Sequence, residues 1–267
     1  MNDASANKKV FELEATVKQW DDDYYHPIAL KLYDRAIADM LVGMGVPNNA
    51  TVLDAGCGPG VHAVRVARAG HRVHAIDISD VMLQHARKRM SETGLFNHVS
   101  FSQEDLTALS FPDASYDYVF SWGVVIHIPR ADLALRELSR IVRPGGKLAL
   151  CIVNQSALDN RIEALARSVT RKPLNIKDRQ LGDGIQYKLH DEDLWLWQFD
   201  MDRVSNLLAS EDLRLISRRT CEFTEFQRRL TGAARSALMH LNNFAYRSGF
   251  PPSLSRSNIL IFEKQRR

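Results

Sequence analysis

Cysteine is scarce in this chain. Three residues in 267, at positions 57, 151 and 221, are too few and too scattered for a disulfide framework, and none has the C-x-x-C spacing of a zinc or dithiol site. They read as small buried thiols. Long apolar runs are also missing: no stretch approaches the roughly 18–20 residues that span a bilayer. The opening MNDASANKK is polar and leads into no apolar segment, so the expectation is a cytoplasmic protein without a secretory signal. No internal repeat or low-complexity tract is visible, and no His, Cys and carboxylate spacing suggests a metal. What is present, 45% hydrophobic and 25% charged residues, is ordinary for a globular chain long enough for one large domain, or one domain and a cap.

The net charge of +3 is unevenly spread. Residues 213–267 hold 11 Lys and Arg against 3 Asp and Glu, so the rest of the chain is net acidic. Such a skew fits an acidic substrate, RNA or a membrane surface, and equally a set of solvated arginines on surface helices.

From Thr51 onward, strand and helix patterns alternate, which argues for an α/β fold with a doubly wound, mostly parallel sheet covered on both faces. Strands are expected at 51–54, 72–77, 99–103, 116–121, 147–153, 213–223 and 257–262. Helices are expected at 61–69, 80–93, 131–142 and 201–210, with Met82, Ala86 and Met90 on one buried face. Pro144-Gly145-Gly146 reads as a turn. Four regions follow: an N-terminal helical lid (1–50), a core (51–153), a cap insert (154–200), and a C-terminal part of the sheet (201–267) with a helical insert at about 224–246. In the lid, Leu30, Tyr33, Ile37 and Leu41 share a face expected to pack on the sheet edge, and the dense Trp20 to His26 segment could fold over a ligand. In the cap, 182–184 reads as a Gly-Asp-Gly turn before an aromatic segment holding Trp195 and Trp197.

The most diagnostic stretch is Val52-Leu-Asp-Ala-Gly-Cys-Gly-Pro-Gly60. Gly56, Gly58 and Gly60 let the main chain turn sharply and lie against a ligand, with Cys57 between them. A dinucleotide fingerprint wants its third glycine one position later, where Val61 stands, and wraps an anionic pyrophosphate. Asp54 would sit badly beside that anion, but suits a cofactor with a positive end and no phosphate. Asp77, 21 residues after Gly56, ends the second strand, where a carboxylate can accept from two ribose hydroxyls.

These residues resemble motif I and the second-strand acid of the class I S-adenosylmethionine-dependent methyltransferases, including the branch of ubiquinone and menaquinone biosynthesis and small-molecule enzymes. The resemblance runs from about Thr51 to Val153. It implies a Rossmann-like, seven-stranded sheet with helical inserts after strands five and six, and S-adenosyl-L-methionine as cofactor, released as S-adenosyl-L-homocysteine. Ile78 and Met82 would then sandwich the adenine, or be core. Within Gln103-Glu104-Asp105-Leu106, the adenine-reading acid of the family falls on Asp105, and the Leu106 amide could donate to a ring nitrogen. Ser121 and Trp122 would meet the methionine end, the indole as a π face for a cation or as plain packing.

On the family's chemistry, a positioned acceptor needs a base only if it carries a proton. His127 is the candidate, as base or as structural residue. His26, Tyr187, His190 and Trp195 are possible substrate contacts. Ser121-Trp-Gly-Val124 stands where planar-nitrogen enzymes carry Asn-Pro-Pro-Tyr, which argues against DNA bases and protein glutamine. The expected partner is a small-molecule methyl acceptor, methylated at O or N. The alternatives are C-methylation of a quinone or lipid precursor and, behind it, RNA methylation. A nicotinamide dehydrogenase and a non-catalytic binding protein are the readings from other classes.

Overall fold

A computed structural model describes residues 4–24, 26–171 and 174–266, without the side chains of 4–7, 21–24 and 170. In chain order the elements are α1 (Ala4–Phe11), α2 (Glu14–Tyr24), α3 (Pro27–Gly43), β1 (Thr51–Ala55), α4 (Val61–Arg68), β2 (Arg72–Asp77), α5 (Asp80–Glu92), β3 (Val99–Gln103), β4 (Tyr116–Trp122), α6 (Ala131–Ile141) and β5 (Val142–Val153). Then come α7 (Leu158–Thr170), β6 (Ile176–Asp178), β7 (Gly182–Leu189), β8 (Glu192–Phe199), α8 (Met201–Ser210), β9 (Leu213–Thr220), α9 (Gly232–Ser248) and β10 (Ser257–Lys264).

The main sheet has seven strands in the order β3-β2-β1-β4-β5-β10-β9, and only β10 runs against its neighbours. Chain order reverses between β1 and β4, which opens a crevice beyond their carboxyl ends, the place where open α/β sheets bind ligands. Side-chain alternation divides the core into two layers. Val52, Ala75, Phe120, Cys151 and Ile261 face α3, α4, α5 and α9. Leu53, Ile76, Val119, Leu150 and Leu260 face α6 and α8. All three cysteines are free and buried.

Local signals place the helices. Ser79 caps α5 by accepting from the Met82 amide at 3.1 Å, and Met82, Ala86 and Met90 are buried along the face that the spacing predicts. Asp200 caps α8 in the same way, accepting from the amides of Asp202 and Arg203.

Three expectations need amendment. α3 does not pack on the sheet edge: Leu32, Tyr33, Ala36, Ile37 and Met40 lie over the sheet face with Ile259 and Ile261, while Leu30 is half-buried. Arg143 to Gly146 bulge out of the β4–β5 ladder within β5, since Tyr116 pairs with Val142 and Tyr118 with Lys147. The insert after β5 is one helix followed by a three-stranded antiparallel sheet, β6-β7-β8, and its Gly-Asp-Gly begins β7 instead of turning.

The reason for that last difference is cross-strand packing. Gly182 and Gly184 lie opposite Phe199 and Trp197, and a Cβ at Gly184 would stand 2.5 Å from Cζ2 of Trp195. The glycines leave room for the indoles, as glycine in a strand often does where something approaches closely. The turn is instead at His190 and Asp191, both with positive φ.

Candidate functional site

A cavity of about 960 Å³ runs from the glycine loop at the carboxyl end of β1 to the three-stranded sheet. The loop is shaped by its glycines. Gly56 has φ +86 and packs so close to Val124 that a Cβ would fall 2.4 Å from its Cγ1, while Gly58, at φ +51, has open space where a Cβ would be. The amides of Gly56 and Cys57 both donate to the Ile76 carbonyl at 2.8 Å, tying the loop to β2.

Asp77 lines the cavity beside this loop. Its Oδ2 accepts from the Gly58 amide at 2.8 Å and its Oδ1 from the Ser79 amide at 2.9 Å. Burial pushes the carboxyl up to about 6, even though the amides of Ser79, Gly58 and Ile78 pull it down. Ile78, Met82, Glu104, Asp105, Leu106 and Trp122 line the same end. Both oxygens of Glu104 are taken by Ser110, from its amide at 3.1 Å and its hydroxyl at 2.5 Å. Asp105 uses Oδ1 to accept from the amide and hydroxyl of Thr107, each at 2.8 Å. Trp122 sits 4.8 Å, ring to ring, from His62, a cavity residue of α4 that no sequence motif marks.

Three expected contacts lie behind the wall. Gly60 begins α4 in the left-handed conformation, and a Cβ there would meet Ala86 at 3.0 Å, so it brings α4 onto α5. Ser121 donates through Oγ to the Ala55 carbonyl at 2.8 Å, fastening β4 to the end of β1. Asp54 is buried beneath the loop, and its Oδ2 has no hydrogen-bond partner. Burial first, and then the neighbouring Asp77 charge, hold its carboxyl well above the usual range.

These groups fit a cofactor with a cationic end. Two carboxyls flank the loop, both costly to ionise without a positive partner, and one buried oxygen lacks a donor. A pyrophosphate would add negative charge to the same place.

His127 lines the middle of the cavity, in the single 3-10 turn after β4. Its Nδ1 donates to the Trp195 carbonyl at 2.8 Å, which leaves Nε2 with the ring lone pair. Trp20 stacks on it at 6.3 Å and Phe11 meets it edge-on at 5.8 Å. Burial lowers its pKa to about 4, against opposing contributions from the Trp195 carbonyl and Glu225, so the ring is neutral at pH 7.

The N-terminal helices wall the cavity with Lys8, Phe11, Ala15, Lys18, Gln19 and Trp20. Ser79 Oγ donates to the Phe11 carbonyl at 2.9 Å, and Glu14 pairs with His85 at 2.9 Å, so the lid docks on the start of α5. Tyr25 and the side chains of 21–24, part of the segment expected to fold over the ligand, lie outside the described residues. His26 caps α3, accepting at Nδ1 from the Ile28 amide.

At the far end the three-stranded sheet presents Ile185, Tyr187, Leu189, Leu194 and Leu196 to the cavity, with His190 at its turn. Trp195 faces the other way. It packs on Trp197, whose Nε1 donates to the Ile128 carbonyl at 2.9 Å, so these indoles brace the His127 turn.

Opposite the apolar sheet stands a charged group that the sequence did not single out. Arg256 donates from Nε to Glu225 at 2.8 Å, and Arg228 lies 3.4 Å from Glu225 and 3.6 Å from Glu222. Burial alone would raise the Glu225 carboxyl, but Arg228 and Arg256 bring it down to about 2. The visible signal is the pair of acids Glu222 and Glu225 among basic residues, six and three positions before Arg228.

The fold and the loop together define a Rossmann-like α/β protein with a nucleoside-cofactor crevice at its topological switch point. Residues 52–146 match the family described as Methyltransferase domain. A malonyl-[acyl-carrier protein] O-methyltransferase from Erwinia pyrifoliae is 36% identical over 142 residues, 53% of this chain and 52% of that protein. A ubiquinone/menaquinone biosynthesis C-methyltransferase from Rhodopseudomonas palustris is 38% identical over 105 residues, 38% of this chain and 41% of that protein. The chain thus matches about half, or less, of the length of these relatives. Across nearly the whole chain the fold is that of the magnesium protoporphyrin IX methyltransferase from Synechocystis PCC 6803, solved with bound SAH: TM-score 0.65, 17% identity, 97% of this chain and 98% of that one.

Proposed function

We propose that this protein is an S-adenosylmethionine-dependent methyltransferase acting on a small, largely apolar acceptor at an oxygen or nitrogen atom. The observation that carries the reading is one continuous cavity with the Asp77 and glycine-loop crevice at one end, His127 in the middle and an apolar sheet face at the other. Bound S-adenosylmethionine supplies an electrophilic methyl group on a cationic sulfur. Asp77, with a second lone pair on each oxygen beyond the Gly58 and Ser79 amides, would accept from the ribose hydroxyls, Ile78 and Met82 would enclose the adenine, and Asp105, at the place of the family's adenine-reading acid, would accept from its amino group. Cys57, Gly58 and Trp122 line the methionine end, and Asp54, beneath the loop, provides the compensating negative charge.

His127 accepts the hydrogen bond of the acceptor's O–H or N–H at Nε2. During methyl transfer, the chemistry that bound S-adenosylmethionine would supply, the acceptor's proton would pass to Nε2. The charge of Glu225 favours the imidazolium so formed. The lid and the braced turn exclude water and hold the acceptor in line, an arrangement that can supply several kcal/mol of the barrier.

C-methylation of a quinone or lipid precursor is the second reading, favoured by the apolar far end and by the C-methyltransferase among the relatives. RNA methylation is weakly supported, because arginines of the basic C-terminal part are engaged within the protein, as in Arg214–Glu263, Arg219–Asp39, Arg229–Glu163 and Arg256–Glu225.

Isothermal calorimetry tests the cofactor directly. S-adenosylmethionine and S-adenosylhomocysteine should bind and NAD should not; binding of NAD alone would overturn the proposal.

A further inference from the structure

Helix α7 is amphipathic in the reverse of the usual sense. Its polar residues Asp159, Glu163 and Arg167, four apart, line the cavity. Its aliphatic residues face outward: Leu158, Ile162, Leu165 and Val169 are 37%, 48%, 69% and 78% exposed. A surface helix of a globular protein normally turns its apolar stripe to the core, so this face is built for something outside the chain.

Charge narrows the choice of partner. Both acids of α7 turn inward, Asp159 accepting from Thr224 and the Glu225 amide and Glu163 pairing with Arg229 at 2.5 Å. The exposed charges along the outer face and at its end are Arg161 and Arg171. Leu230, also exposed, follows Arg229, which pairs with Glu163 of α7. An antiparallel two-fold pairing of this face would bring the Arg161 end of one copy to the Arg171 end of the other, with no exposed acid of α7 to receive either. An anionic surface with an apolar interior satisfies both features, since aliphatic side chains enter the acyl boundary while arginines meet the headgroups.

We propose that the outer face of α7 seats the protein on an anionic lipid surface. No helix among the described residues is long and apolar enough to cross a membrane, so the attachment is peripheral. The same helix carries the membrane face outside and a cavity wall inside, which would let an apolar acceptor pass from the lipid to the Ile185 to Leu196 sheet face. That last step rests on the function proposed above; the attachment itself does not.

The test is flotation of the full chain with phosphatidylcholine vesicles, with and without phosphatidylglycerol. The wild type should float with the anionic vesicles and lose binding as salt rises. Leu165→Glu should lower the partition about tenfold or more, and Arg161→Gln roughly five-fold. Unchanged circular dichroism and cofactor affinity would show that the variants are folded. No flotation at low salt, or equal flotation of wild type and Leu165→Glu, would overturn the proposal. A concentration-dependent dimer abolished by Leu165→Glu would instead assign the face to a second copy, and retention on an acidic carrier protein without vesicle binding would assign it to that partner. Flotation without S-adenosylmethionine binding would sink the methyltransferase reading and leave the attachment standing.

Discussion

Asp77 holds two conflicting demands. In the proposed role it must be ionised to accept from two ribose hydroxyls, yet burial has raised its carboxyl to about 6. The sign follows: above pH 6 the carboxylate is formed and can accept, while below pH 6 a proton must be displaced or an acceptor is lost. Affinity for S-adenosylmethionine should therefore be level above about pH 7 and weaken by up to tenfold per unit as pH falls below 6, measured by calorimetry across pH. Asp77→Ala should remove the dependence and weaken binding by about ten- to a hundred-fold, as expected for hydrogen bonds to a charged group. A pH-independent affinity in the wild type would show that this carboxylate is not the ribose contact. His127 differs, since its folded pKa of about 4 lies below the ordinary histidine range and the ring is already neutral at pH 7. If its Nε2 takes the acceptor's proton, His127→Gln should lower kcat by roughly 10²–10⁴-fold with the cofactor Kd unchanged. Wild-type turnover in that variant would reduce His127 to a brace for the Trp195 strand.

Elements carry the site through contacts that are close in space and distant in sequence. The His127 turn is held by β8 through the Trp195 carbonyl and by the Trp197 indole on Ile128. β8 can present its indoles there only because β7 supplies glycine opposite them. Gly184→Ala, which puts a methyl 2.5 Å from the Trp195 ring, should destabilise the fold by about 1–3 kcal/mol. Thermal unfolding should register that as a drop of several degrees, and turnover should fall as His127 shifts. An unchanged melting temperature would mean that the indole packing is slack. The core elements were legible because their signals are local: Ser79 and Asp80 open α5, Gly94 ends it, and the Tyr116 to Ser121 run has the β-branched and aromatic character of a strand. The cap sheet was not legible as such. Gly-Asp-Gly is the composition of a turn, and only the partner strand reveals that it makes room for tryptophan.

Across the whole molecule, the crevice at the β1/β4 switch point is closed by pieces from both ends of the chain. Lys8 to Trp20 wall one side, and the segment from Glu222 to Arg229, with Arg256, walls another. Basic residues that looked like a nucleic-acid or surface feature pair with Glu222, Glu225 and Glu163, so the charge skew of the C-terminal part is partly neutralised by internal ion pairs. The chain by itself determined the cofactor crevice, because a strand, three glycines and two acids within 30 residues are joined by short-range hydrogen bonds and backbone angles that sequence spacing controls. It did not determine which acids touch the cavity and which lie beneath it. Asp54 and Gly60 belong to the same motif as Gly58 yet stand behind the wall, because strand alternation and the packing of α4 on α5 turn them inward. Only the tertiary structure decided the far end of the cavity, where an antiparallel sheet, an inverted helix and an ion-pair cluster meet from separations of up to about a hundred residues, beyond the reach of any local pattern.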